Sequence, residues 1–252
     1  ELHITLNEFF CRWISTEARL IAPHLPVVLD IGCGTGEEAI RLLKSSTDLR
    51  LIAIDCSSRM LNVLAEKLAY EFGNITADGR CKIACVDVRE KGWITRALEV
   101  AKEDVLKFRF DAVISAYALH HLDAETKRRV YGEIFQQLSP RGIFANADLF
   151  AFETKWLADY AQKTLEDWIV KQFSDPTAPH YFDASLLPQD RQRLMENWIY
   201  HVRKENQLLP ALPSTLHTKD WINPVCEQSL LAEVGFSATE CIYRSGQSAI
   251  LW

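Results

Sequence analysis

The chain has 252 residues, enough for one large domain or for a domain carrying an insertion. Hydrophobic residues make up 48 % and charged residues 25 %, an ordinary globular balance that excludes a mainly disordered protein. The net charge of −6 disfavours nucleic acid as the main partner, because a phosphate-gripping surface needs an excess of Lys and Arg.

Apolar residues from Leu6 to Ile21 recur at helical spacing and predict a helix over 5–21, ended by Pro23 and Pro26. Val27–Ile31 reads as a short buried strand, and Gly32-Cys33-Gly34-Thr35-Gly36 leads into a helix over Glu37–Lys44. The alternation continues through a strand at Leu49–Ile54, a helix at Ser57–Tyr70, a strand at Cys81–Val86 and a helix at Trp93–Val105. Phe110–Ala116 is a fourth strand and Ala124–Leu138 a helix; Pro140 and Gly142 turn into a fifth strand, Ile143–Leu149. The densest basic run, Lys127-Arg128-Arg129, reads as a solvated face of the helix before that strand. Strands alternating with helices predict a parallel sheet covered on both faces.

The rhythm then breaks. Two helical patterns, 153–174 and 188–209, follow without a strand between them, and then a helix at Val225–Val234 and two strands, Phe236–Arg244 and Gln247–Trp252, joined by a turn at Ser245-Gly246. The predicted organisation is a cap helix in 1–26, an α/β domain of 27–150 plus 210–252, and a helical insertion over 151–209. Aromatics of the insertion, such as Trp156, Tyr160, Trp168 and Trp198, read individually as core between paired helices, and together as a roof for an apolar pocket.

Seven scattered cysteines form no CxxC pair, so neither a zinc site nor a disulfide framework is indicated. Cys81 and Cys85 share a strand face and read as buried free thiols, with a reducing, cytoplasmic compartment as the expectation. No run of 18 apolar residues suggests a membrane span. The chain opens on Glu1 rather than Met, so the lack of a targeting segment carries no weight.

The chemistry concentrates after the strands. Glycines at 32, 34 and 36 allow a tight turn and close approach of a ligand to the backbone, but their spacing departs from the dinucleotide pattern G-x-G-x-x-G. Glu37 at the following helix start would repel a pyrophosphate, which argues against NAD or FAD and tolerates a ligand with an ammonium group. Asp55, closing the second strand, suits the two hydroxyls of a ribose; its competing reading is a cap for the helix near Ser57.

Val27–Gly36, Ile52–Met60, Val86-Asp87-Val88, Phe110–Leu122 with its Ala118-Leu119-His120-His121-Leu122, Leu138–Phe144 and Leu231–Phe236 resemble, in order and spacing, the successive motifs of class I S-adenosylmethionine (SAM)-dependent methyltransferases. The resemblance covers 27–150 and 220–252. It implies an α/β, Rossmann-like seven-stranded sheet of order 3-2-1-4-5-7-6 with the last strand antiparallel, and SAM as cofactor; the insertion, emerging after the fifth strand on the edge of the SAM loops, is placed to be a helical lid. It also implies roles. Asp30, Gly32, Gly34 and Gly36 hold the methionine part of SAM and Asp55 the ribose; Cys56 and Met60 border the adenine. Asp87 accepts from the adenine amino group, or else caps a turn; Val88 offers its backbone N–H; Ser115 and Ala116 lie beside the methionine end.

His120 and His121 follow the fourth strand where the methyl group should emerge, as base or acceptor-orienting groups or as a structural turn, and Tyr117 faces the sulfonium or fills the pocket. His180, His201 and Arg203 are polar candidates in the lid. Asn146 and Asp148 on the fifth strand do not make a metal set, since no second acid follows the fourth strand before Asp123. The leading expectation is methyl transfer to a small-molecule substrate, with no metal and no membrane; a tRNA or protein methyltransferase, or a SAM-binding module without catalysis, are the alternatives, and oligomeric state is open.

Overall fold

A computed structural model describes residues 2–13, 25–47, 49–76, 79–102, 108–150, 154–174, 188–207, 224–245 and 248–251. In chain order the elements are α1 (Leu2–Trp13), β1 (Val27–Ile31), α2 (Glu37–Ser45), β2 (Arg50–Asp55), α3 (Ser58–Phe72), β3 (Cys81–Cys85), α4 (Trp93–Ala101), β4 (Phe110–Ala116), a 3-10 turn at Leu119–His121, α5 (Ala124–Gln137), β5 (Leu138–Leu149), α6 (Lys155–Ser174), α7 (Pro188–Gln207), α8 (Pro224–Val234), β6 (Cys241–Ser245) and β7 (Ser248–Leu251). The chain divides into two units, Glu1–Phe150 with Pro224–Trp252, and Ala151–Asn223.

The first unit is built on one seven-stranded sheet of order β3-β2-β1-β4-β5-β7-β6. β1 to β5 are parallel and β7 runs antiparallel to β5, the Rossmann-like arrangement expected. β1 is buried along its whole length, as a central parallel strand covered on both faces must be. Side-chain alternation then sorts the core. Val28, Ala53, Ala112 and Ala147 meet Leu6 and Phe10 of α1, Leu42 of α2, and Leu64 and Leu68 of α3. Each such leucine or phenylalanine contributes about 1.5–3 kcal/mol by leaving water. On the other face Trp93 of α4, Tyr131 of α5 and Leu230 and Leu231 of α8 are buried.

Four details differ from the sequence expectation. β5 begins at Leu138 rather than Ile143, because the Pro140–Gly142 turn sits inside it as an irregularity: Phe110 pairs with Leu138, then the register jumps to Ala112 with Ile143, and Arg141 takes φ 67°. β6 begins at Cys241, since Phe236 leaves the sheet to pack its ring on Phe135 and Phe144. Lys127 is not solvated. Its Nζ is buried and donates to Glu227 of α8 at 2.9 and 3.2 Å, and Tyr131 donates its O–H to the same carboxylate. Cys81 is buried, but Cys85 is exposed where the edge strand β3 ends.

The second unit pairs α6 with α7. Its buried positions include Ala158 and Ile169, while Trp156, Tyr160, Trp168, Trp198 and Tyr200 are exposed rather than core, with Trp156 and Tyr160 stacked at 5.7 Å. His180 lies outside the described residues, as do the side chains of His201 and Arg203. Among the described residues no helix is long and apolar enough to cross a membrane.

Candidate functional site

The carboxyl ends of β1, β2, β3 and β4 open into one cleft of about 570 Å³. Its walls are the loop Ile31–Thr35 with Glu37 and Glu38, the turn Asp55–Ser57 with Met60, the segment Val86–Arg89, and Ala116–Leu119 with His121 and Leu122.

The three loop glycines have separate jobs, all at positive φ. A Cβ on Gly32 would lie 2.3 Å from the Ala118 Cβ, so this glycine lets the loop touch the segment after β4. A Cβ on Gly36 would meet Leu64 of α3 at 2.2 Å, so Gly36 serves helix packing and does not line the cleft. A Cβ on Gly34 would meet nothing within 4 Å. Gly34 is thus the glycine whose missing side chain leaves space for a ligand.

Asp55 ties the loop to the neighbouring strand. Its Oδ2 accepts the Gly34 N–H at 2.9 Å and its Oδ1 accepts the Ser57 N–H at 2.7 Å. The cap of α3 is Ser57, whose Oγ accepts from the Met60 N–H, so Asp55 organises the turn and remains on the cleft wall. Each of its oxygens keeps a second lone pair.

Negative charge gathers at the loop. Asp30 and Glu38 are both buried, and the Asp30 Oδ2 has no hydrogen-bond partner among the described residues. Burial first, then Glu38 and Asp55, raises the Asp30 pKa well above the usual carboxylate value. The first turn of α2 carries Glu37 and Glu38, so the place where a pyrophosphate would rest is acidic. An ammonium group fits this end.

At the opposite end Met60 is exposed on the cleft, separated from Leu61, Leu64 and Leu68, which are buried. Cys56 lies beside it, exposed, with its thiol pKa raised by partial desolvation, Asp55 and Asp87. Asp87 and Val88 line the cleft too. Asp87 accepts the Arg89 N–H at 2.9 Å and pairs with the Arg89 guanidinium at 2.6 Å, and that hydrogen bonding holds its pKa below the usual range.

Of the fourteen residues that the sequence assigns to cofactor binding or catalysis in the α/β domain, ten line the cleft: Gly32, Gly34, Asp55, Cys56 and Met60, then Asp87, Val88, Ala116, Tyr117 and His121. Asp30, Gly36, Ser115 and His120 do not. Ser115 is buried and donates its Oγ–H to the Ile31 carbonyl at 3.0 Å, joining β4 to β1. His120 is buried against Asp148 of β5, its Nδ1 at 2.6 Å from Oδ1. Tyr117 occupies the left-handed region at φ 53°, with its N–H on the Ala147 carbonyl, a strained conformation where the chain leaves β4 for the cleft. Glu38 and Arg89 were missed in the sequence; the signal for Glu38 was a second acid beside Glu37 on a helix whose next apolar residues face the core.

Residues 28–142 match a family model described as "Methyltransferase domain". A demethylmenaquinone methyltransferase of Leptospira interrogans is 29 % identical over 136 residues, 53 % of this chain and 48 % of that protein. A tRNA N(3)-methylcytidine methyltransferase, Mettl2 of Drosophila melanogaster, is 22 % identical over 173 residues, 64 % of this chain and 49 % of that protein. The chain thus spans about half the length of these curated relatives. Among solved structures, the CurJ carbon methyltransferase superposes with a TM-score of 0.58 at 14 % identity, over 97 % of this chain and 52 % of that one, a likeness of fold. With its glycine loop, its acid closing β2 and its 3-2-1-4-5-7-6 sheet, the chain carries a methyltransferase domain over residues 28–142 and resembles the class I SAM-dependent methyltransferases.

Proposed function

We propose that the chain binds SAM in the cleft and transfers its methyl group to a small-molecule acceptor. The observation that carries the reading is the union of Gly34 and Asp55: an open glycine whose N–H is held by a carboxylate with acceptor capacity to spare, at a helix start too acidic for a pyrophosphate. The cofactor would lay its ammonium group toward Asp30 and Glu38 and its ribose on Asp55. Its adenine would lie between Met60, Cys56 and Val88, with Asp87 accepting from the amino group in competition with Arg89.

SAM supplies a methyl group already activated by sulfonium, so the protein has no electrophile to generate. The chain's part is to hold the acceptor in line and keep water away. The wall made by Tyr117, Ala118, Leu119 and Leu122 is suited to both, and an imidazole nitrogen of His121 is the group placed to take a proton from an acceptor that carries one. The unit Ala151–Asn223 follows directly on β5, whose carboxyl end lies on the same sheet edge as the cofactor loops, and its exposed aromatics suit an apolar acceptor. We read it as the lid.

The test is calorimetric titration with SAM and with its product S-adenosylhomocysteine (SAH), followed by incubation with labelled SAM and a fractionated cell extract. Label in the metabolite fraction is expected. Label confined to RNA or protein would favour the macromolecular alternative. Binding without any label would make the chain a non-catalytic SAM-binding module, and no binding of SAM or SAH would sink the reading.

A further inference from the structure

The segment after β4 forms a whole wall of the cleft, with Leu119 and Leu122 buried beneath it. The Tyr117 N–H reaches the Ala147 carbonyl at 2.9 Å, and the 3-10 turn closes on itself through Leu122 N–H to Leu119 carbonyl at 3.0 Å. A further anchor is Asp148, a fully buried carboxylate on β5. Its Oδ2 accepts the backbone N–H of His120 at 2.8 Å, its Oδ1 lies 2.6 Å from the His120 Nδ1, and the same Oδ1 accepts the Leu149 N–H at 2.9 Å. A carboxylate already receiving two backbone donors takes the Nδ1 proton as a third. That assignment fixes the tautomer and seats the ring of His120 off the cleft. The next ring, His121, packs against it at 4.0 Å between centroids and lines the cleft.

We propose that Asp148 and His120 form a latch that seats the 117–122 loop, and with it His121, against the methyl-donor cleft. Both are positioning residues: neither lines the cleft, and they act through the residue that does. The inference rests on the cofactor reading above, and it assigns the two histidines different work. His120 is the structural member of the pair and His121 the proton acceptor.

The charged groups that face His121 come from three elements: His120 on its own turn, Asp148 on β5, and Arg89 after β3. Desolvation of the ring first, and then His120, lowers the His121 pKa from its ordinary 6.5, Arg89 acts in the same direction, and Asp148 raises it. His121 is therefore in its basic form at neutral pH. These opposing influences separate two accounts of Asp148. If it acted only as a distant charge, removing that charge would lower the His121 pKa further. If it is a latch, removing it frees the loop, the ring gains water, and the pKa climbs back toward 6.5.

The test is an NMR titration of the imidazoles in the ligand-free protein, wild type and Asp148→Asn, with Asp148→Glu as the conservative variant. The latch predicts an upward shift of the His121 midpoint in Asp148→Asn, at least partial recovery in Asp148→Glu, and an SAH affinity lowered about tenfold in the Asn variant. A midpoint that falls or stays put would overturn it. A second measurement needs no variant: in the wild type the His120 Nδ1 proton should be shielded from solvent exchange, and a freely exchanging Nδ1 or an Nε2-protonated tautomer would equally overturn it. If the wild type does not bind SAH, the cofactor reading fails, while the titration still decides the latch.

Discussion

Replacing Asp55 by alanine tests the site at its centre. Two backbone N–H groups, of Gly34 and Ser57, lose a part-buried charged acceptor at 2.9 and 2.7 Å. Hydrogen bonds to charged groups contribute about 1.5–3 kcal/mol each, and water recovers part of this at a half-buried position, so a loss of about 2–3 kcal/mol of stability is expected. For a chain of this size that corresponds to a melting point lower by about 4–12 °C. The cofactor loses its ribose acceptor as well, a further 1–3 kcal/mol or about 5- to 150-fold in affinity. Asparagine should not rescue. An amide has one acceptor oxygen, so its NH2 would face one of the two backbone donors. The assay is SAH titration calorimetry at a temperature where wild type, Asp55→Ala and Asp55→Asn are all folded, beside thermal melts. An SAH affinity in Asp55→Ala within twofold of wild type would refute the ribose assignment, whatever the melting point does.

The glycines make a paired prediction. Gly36→Ala drives a methyl group to 2.2 Å from Leu64 and should lower the melting point sharply. Gly34→Ala meets no atom and strains only φ 52°, costing about 1–2 kcal/mol, but should weaken SAH about tenfold because the methyl group fills the ligand's space; equal effects of the two on SAH would contradict the division of labour. Glu227→Ala leaves Lys127 and Tyr131 buried without their carboxylate and should cost about 3–5 kcal/mol in urea unfolding. The double variant Lys127→Met, Glu227→Gln should recover most of it, since glutamine still accepts the Tyr131 O–H; no recovery would mean that the pair is not what couples α5 to α8.

Most of the sheet was readable because β1 to β4 are short, largely apolar runs between turn residues, and the strand order needed the family resemblance. What escaped has a common cause. Lys127, Cys85 and the insertion's aromatics were each assigned by local pattern, which does not say what packs against a side chain. Glu227 is 100 residues from Lys127 and draws it into the core. The ending of edge strand β3 leaves Cys85 exposed. Met60 sits in a run of apolar helix residues, and its place on the cleft was legible through the family resemblance rather than through the periodicity. The His120-His121 pair carried the same ambiguity: adjacent residues of one type cannot be told apart by spacing, and the partner that separates them, Asp148, belongs to another strand.

Asp30 extends the argument to protons. Its raised pKa means that the folded protein favours the protonated acid more than the unfolded chain does. Asp30 therefore supports stability at low pH, and that support is lost as pH rises through its folded-state pKa. The ionised form then sits buried with an unpartnered oxygen, near the carboxylates of Glu38 and Asp55. An ammonium group arriving from the cofactor offsets the repulsion of Glu38 and Asp55 and gives the open oxygen a partner. It lowers the pKa, so binding must release a proton wherever the pH lies between the free and the liganded values. SAH titrations in two buffers of different ionisation enthalpy should consequently give different apparent enthalpies, largest in that window and vanishing in Asp30→Asn. The same variant should bind SAH more weakly. Buffer-independent enthalpies in the wild type at every pH where the protein stays folded would mean that the ammonium does not meet Asp30, and the cofactor's orientation in the cleft would have to be reversed.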